Sequence, residues 1–238
     1  MPQMGGFTNA RCTQTLVLLT VAASLLAGNL PANAPQAYAL PHPGTPLTAS
    51  AARLLRRQRL ELWRWPLSQL VAPHAGELAF DAYLLYHFRM IERQQGSRNY
   101  AIHVVAAATL TVLTLTALTE ASWAVVDALA DAPQANYVRR ALVAFLSTGP
   151  YATGPLALVG AALARYQRHI PPTSRFRIFG WPQELTDKAF VALAAAQVGL
   201  ARGGASLLPM GLGFFFGAAL CEAEEAAAQP PPQPTTRA

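Results

Sequence analysis

The sequence predicts an all-α polytopic membrane protein: a six-helix transmembrane bundle with an interfacial helical first loop. Two observations carry that prediction. Of 238 residues, 53% are hydrophobic and only 13% are charged, about half the charge that a soluble domain carries on its surface. The apolar residues also fall in long runs with the charges gathered between them, as in membrane-crossing helices. The formal net charge of +6 comes from arginine, since Lys188 is the only lysine. No basic stripe interleaves with aromatics, which argues against a nucleic-acid partner. The arginines fit anchors at the edge of a lipid bilayer.

Three regions follow: residues 1–46, an N-terminal segment with the first span or a signal peptide; 47–221, the membrane core; and 222–238, a disordered acidic and proline-rich tail. The first apolar run covers residues 16–30, after Arg11. Ala32-Asn33-Ala34 and Ala37-Tyr38-Ala39 resemble signal-peptidase sites, so the run reads either as a cleaved signal peptide or as a retained, slightly short span. In residues 47–70, Arg56, Arg57, Arg59 and Arg64 are mixed with Leu54, Leu55, Leu60, Leu62, Trp63 and Trp65. Snorkelling arginines and tryptophans suit a helix lying in the interface plane.

The second span, residues 78–91, is short and begins among acids. The third, residues 101–118, is rich in small residues and threonine, which permit close helix packing. "EASWAVVDALADAPQANYVRR" after it reads as a loop with an interfacial helix. The fourth span, residues 141–164, is interrupted by Gly149, Pro150, Gly154 and Pro155. The fifth covers residues 189–200, with Thr186 or Asp187 as N-cap. The sixth covers residues 205–220, and disorder is expected from Glu222 onward.

Topology follows from the arginines. Arg93 and Arg98 follow the second span, and Arg165, Arg168, Arg175 and Arg177 follow the fourth. The loop after the third carries Glu120, Asp127 and Asp131 against Arg139 and Arg140. The positive-inside rule then puts both termini in the cytosol. The arginines of the first loop depart from the rule, which the interfacial helix explains. Cys12 and Cys221 lie near opposite ends, and no histidine has a zinc-binding spacing, so neither a metal nor another cofactor is expected.

Several fragments then share an order. "ELWRW" (residues 61–65) is followed by "ELAFDAYLLYHFRMIERQQGS", "YATGPLALVGAAL" and "MGLGFFFGAAL". Over residues 54–220 this order resembles the rhomboid superfamily of six-span intramembrane proteins. The resemblance rests on Trp63-Arg64 and on the ExxxGS-like stretch holding Glu92, Arg93, Gly96 and Ser97. It implies a serine in GxSG at the fourth span, a histidine before a GxxxG in the sixth, and HxxxN donors to an oxyanion in the second. The matching positions here are Thr153, Met210, and the pair Glu77 and Asp81. A thioether takes no proton at neutral pH, and ionised carboxylates only accept hydrogen bonds. The resemblance therefore implies a degenerate protease site.

"YHFRMIERQQGSRNYA" and "FRIFGWPQELTDKAF" look most like a catalytically inactive branch, that of ubiquitin-associated-domain-containing protein 2 and the rhomboid-like subunit of the fungal Golgi ubiquitin ligase. The second fragment contributes Gly180, Pro182, Asp187 and Lys188. The resemblance implies a non-catalytic membrane adaptor in endoplasmic-reticulum or Golgi quality control. Its expected partners are transmembrane segments of clients, a membrane ubiquitin ligase, Derlin-like proteins and an AAA ATPase. The alternatives are an active rhomboid serine endopeptidase and an unrelated six-span transporter; the latter calls for polar midplane residues and internal repeats. Gly213 and Gly217 are expected to serve packing inside the bundle. Glu77 and Asp81 read either as functional intramembrane acids or as wet edge residues paired with first-loop arginines. In the family, Glu92 is expected to accept hydrogen bonds from backbone or arginine and pin a turn, with Gly96 making the turn and Ser97 capping the third helix.

Overall fold

Helix α1, Arg11–Gly28, has Ala10 before it, a residue with no side chain to cap the first free N–H groups. Helix α2 is Ala75–His87 and α3 is Arg89–Gln95, separated by a break at Phe88. Helix α4 is Ser97–Ala128, α5 is Leu156–His169, α6 is Asp187–Leu200 and α7 is Gly204–Ala228. Strands β1 (Arg175–Arg177) and β2 (Glu184–Thr186) lie between α5 and α6 and pair antiparallel, Phe176 opposite Leu185. This computed structural model describes residues 9–28, 66, 68–72, 74–128, 137, 154–172, 175–177 and 184–228.

Side-chain contacts fix the direction of every helix. At its start α1 meets Glu92, and at its end Ser24 accepts from the Ala72 N–H at 3.0 Å. It therefore runs opposite to α2–α3. His103 of α4 faces Glu224 of α7, while Val112 and Leu115 pack with Leu212 and Leu208, so these two helices are antiparallel. Helices α5 and α7 are parallel: Ala157 meets Gly213, Ala161 meets Gly217, and Arg165 meets Glu224. Parallel neighbours need a return path, and α6 supplies it. Its start is tied to α5 by Lys188 Nζ donating to the Gln167 carbonyl at 2.6 Å, and Gly199 near its end packs on Met210.

Among the described residues the chain thus passes the bundle six times in alternating direction. Two stretches, Ser97–Leu118 and Ser206–Ala228, are long and apolar enough to cross a membrane by length and composition; Arg11–Ala27 is apolar but shorter. The 14-residue α5 and α6 would be about 21 Å long, against about 30 Å of hydrocarbon. Leu18, Leu25, Ile102, Val105, Leu193 and Phe215 point outward as exposed apolar side chains. Such a surface suits lipid better than water.

The α5–α7 seam is the tightest contact in the core. An added Cβ at Gly213 would lie 2.4 Å from the Ala157 carbonyl oxygen, and one at Gly217 2.8 Å from the Ala161 Cα. One at Gly160 would lie 2.2 Å from the Met210 carbonyl oxygen. Small residues on both helices let their backbones touch, and dispersion forces act over the whole seam. Gly213 and Gly217 therefore let α7 pack closely on the α5 backbone.

Three sequence expectations need correction. The third helix does not end at residue 118 but continues to Ala128, where a loop with an interfacial helix was expected. The second span is broken at Phe88, which takes φ −69° and ψ −3° between α2 and α3. The loop before α6 also holds a small two-stranded hairpin, which leaves the expected all-α class standing. The tail is not disordered from Glu222, since α7 runs on to Ala228. The physical reason is pairing: Arg165 holds Glu224, and Arg168 holds Glu222 and Glu225. In the fourth span, α5 starts only after Gly154 (φ +115°) and Pro155, and residues 141–153 lie outside the described ones.

Candidate functional site

Glu92 ties three helices at one end of the bundle. It is buried at the turn between α3 and α4. Its carboxylate accepts from the backbone N–H of Cys12 (2.8 Å) and of Thr13 (2.7 Å), from Thr13 Oγ1 (2.7 Å), and from Ser97 Oγ. Cys12 and Thr13 are in the first turn of α1, so an acid from elsewhere in the chain caps that helix. Burial alone would raise the Glu92 carboxyl. The hydrogen bonds from Ser97, Thr13 and Cys12 outweigh it and hold the group below the usual glutamate value. Gly96 makes the turn with φ +86°, and its N–H donates to the Glu92 carbonyl at 2.8 Å. Backbone N–H groups of α1 and the hydroxyls of Thr13 and Ser97 donate to Glu92. One detail differs from expectation. Ser97 turns its hydroxyl to Glu92 instead of capping α4.

Beside this turn is a cluster that the sequence did not single out. Arg165, 3% exposed, donates to Glu224 through Nη2 (2.9 Å) and Nη1 (3.3 Å), and its Nε donates to Gln95. His103 Nδ1 is 3.4 Å from the same Glu224. The matched spacing of Arg165 and Arg168 with Glu222 and Glu225, three residues apart on parallel helices, was the available signal. Thr186 sits at the N-cap of α6 without a side-chain cap bond; instead the Lys188 N–H donates to Asp187 Oδ1 at 3.1 Å. Arg93 is half-buried in the last turn of α3.

Two of the degenerate positions, Glu77 and Asp81, lie toward the opposite end. Glu77 and Asp81 lie one turn apart on α2, both buried. Arg202, between α6 and α7, brings its Nε within 3.0 Å of Glu77 Oε1. An added Cβ at Gly154, the last residue of the tetrapeptide matched to the nucleophile motif, would lie 3.7 Å from Arg202 Nη2. The Gly154 N–H donates to the Ser68 carbonyl at 2.8 Å. Asp81 is 1% exposed, and neither of its carboxylate oxygens has a hydrogen-bond partner among the described residues. Arg202 was missed in the sequence, although it is the one base in the apolar stretch that links the last two spans.

Met210 is buried in the central core, with its sulfur against Gly199. An imidazole does not occupy that position, and α6 and α7 contain no histidine. Glu77 is already paired to Arg202, and Asp81, when ionised, only accepts hydrogen bonds and would repel an oxyanion. Trp63, Arg64, Thr153, Gly180 and Pro182 lie outside the described residues.

Compared with known proteins, the chain is 29% identical over 141 residues to Rhomboid-like protein 18 of Arabidopsis thaliana. The match covers 59% of this chain and 41% of that protein, so it spans well under half of the relative's length. No family model and no solved structure matches. This similarity, together with the long apolar helices, supports a rhomboid-like membrane protein.

Proposed function

We propose that this rhomboid-like chain is a non-catalytic membrane adaptor that binds transmembrane segments of client or partner proteins in ubiquitin-linked quality control of the endoplasmic-reticulum-associated degradation type. One observation carries the loss of catalysis: the position matched to the general base is a methionine packed into the core against Gly199. Without a base, a hydroxyl at Thr153 is a weak nucleophile. What remains is a bundle with short passes and acids near one end, a surface on which another helix can settle. The arginine-rich end faces the cytosol in this reading, and with it both termini.

Purification of the full chain from its native membrane in a mild detergent tests the proposal. A membrane ubiquitin ligase, a Derlin-like protein or an AAA ATPase should co-purify in stoichiometric amount. Absence of all three removes the adaptor role. Labelling by a serine-hydrolase activity probe that is lost in Thr153→Val would restore the protease reading.

A further inference from the structure

We propose that Asp81 is a charge-selecting site for a lysine or arginine carried within the transmembrane helix of a bound protein. The inference rests on the adaptor reading above and names the partner chemistry that the site would choose. The site at this end has two acids and, from the α6–α7 connection, one guanidinium. Arg202 is engaged with Glu77 at 3.0 Å. That leaves the Asp81 carboxylate, 1% exposed, with both oxygens lacking a hydrogen-bond partner among the described residues. A buried carboxylate without a donor is costly, and the cost falls when an ammonium or guanidinium supplies both charge and hydrogens. Intramembrane acids pair in this way with bases on neighbouring helices.

Geometry gives the depth and the approach. Asp81 is the seventh residue of α2, about 9 Å along the axis from its start. A long basic side chain on a partner helix can reach that level by snorkelling. Phe80 and Tyr83, close to Asp81 in sequence, are exposed, so α2 offers an apolar outer surface beside the acid. The partner helix settles on that surface and turns its base inward to Asp81. Glu77 stays with Arg202, which leaves Asp81 as the acid that meets the incoming base.

Site-specific photocrosslinking of the full chain in membranes decides this. The probes are three model helices of leucine and alanine, carrying one lysine, one aspartate or no charge at the depth of Asp81. The lysine helix should be captured about tenfold more than the uncharged one, equivalent to about 1.4 kcal/mol, and the aspartate helix less than either. Asp81→Asn should bring the lysine helix down to the uncharged level, and Asp81→Glu should keep the preference. Equal capture of the three helices by the wild type, or a preference that survives in Asp81→Asn, overturns the inference and leaves the adaptor reading standing. Capture of no helix at all overturns both. Should Asp81→Asn fail to accumulate, the ranking of the three helices on the wild type is decisive by itself.

Discussion

A methyl group added at Gly213 should loosen the α5–α7 seam, and the same change two residues earlier should not. The Cβ of Gly213→Ala would lie 2.4, 2.8 and 2.9 Å from the carbonyl oxygen, Cα and carbonyl carbon of Ala157. These are backbone atoms, so no rotamer change relieves the overlap and the helices must separate. Overpacking of this kind costs about 1–3 kcal/mol. Rigid backbone on both sides argues for the upper half of that range. Alanine also gains about 1 kcal/mol over glycine inside a helix. The net loss for Gly213→Ala is then about 1–2 kcal/mol. At Gly211 an added Cβ meets nothing within 4 Å, so only the helix gain remains. The two variants should differ by about 2–3 kcal/mol, or roughly 4–12 °C in melting temperature for a chain of this size. Thermal unfolding of the purified protein in one detergent, followed by tryptophan fluorescence, measures the difference. Equal melting temperatures for the two variants would refute the close backbone contact.

Glu92→Ala should lower stability by about 3 kcal/mol or more, since it removes a charged acceptor and leaves buried donors of α1 and Ser97 unmatched; normal accumulation and melting would contradict the capping role. The stability difference between the wild type and Glu92→Gln should also depend on pH. The folded carboxyl titrates below its unfolded value of about 4.3, so its contribution is complete above that value and fades as pH falls through the folded one. A gap in melting temperature that stays constant down to pH 3 would exclude this linkage. A double-mutant cycle on Arg165 and Glu224 should show a coupling of about 1–3 kcal/mol, because Arg165 is nearly inaccessible. The more exposed Arg168–Glu225 pair should show a smaller coupling that added salt removes.

Periodicity and composition were enough to find most of the helices, and the GxxxG of Gly213 and Gly217 announced its own packing role. The acceptor role of Glu92 came from the family resemblance, since composition alone makes its stretch a basic loop. Its donors were not legible: Cys12 and Thr13 are 80 and 79 positions away, and no local rule reaches that far. Ser97 has the composition of a cap, yet a stronger acceptor lay five residues before it. Glu222, Glu224 and Glu225 look like a solvated tail when read along the chain. They extend the helix because arginines on a parallel neighbour stand at the same height. Arg202 escaped notice for a similar reason, since its role depends on α2 folding back to bring Glu77 to it. Local preferences decide elements, whereas these polar contacts depend on tertiary register.

The capping of α1 by Glu92 has a consequence for the order of synthesis. The start of α1 is made before its partner, which follows 80 residues later. At ~5–20 residues per second, the first helix waits about 4–16 s before its cap exists. Throughout that interval the free N–H groups of its opening turn must be satisfied by water, lipid headgroups or an insertion factor. Closing so long a loop is also slow compared with forming a local helix pair. Until Glu92 has emerged and docked, the first turn of α1 lacks the acceptor that ties it to the rest of the bundle.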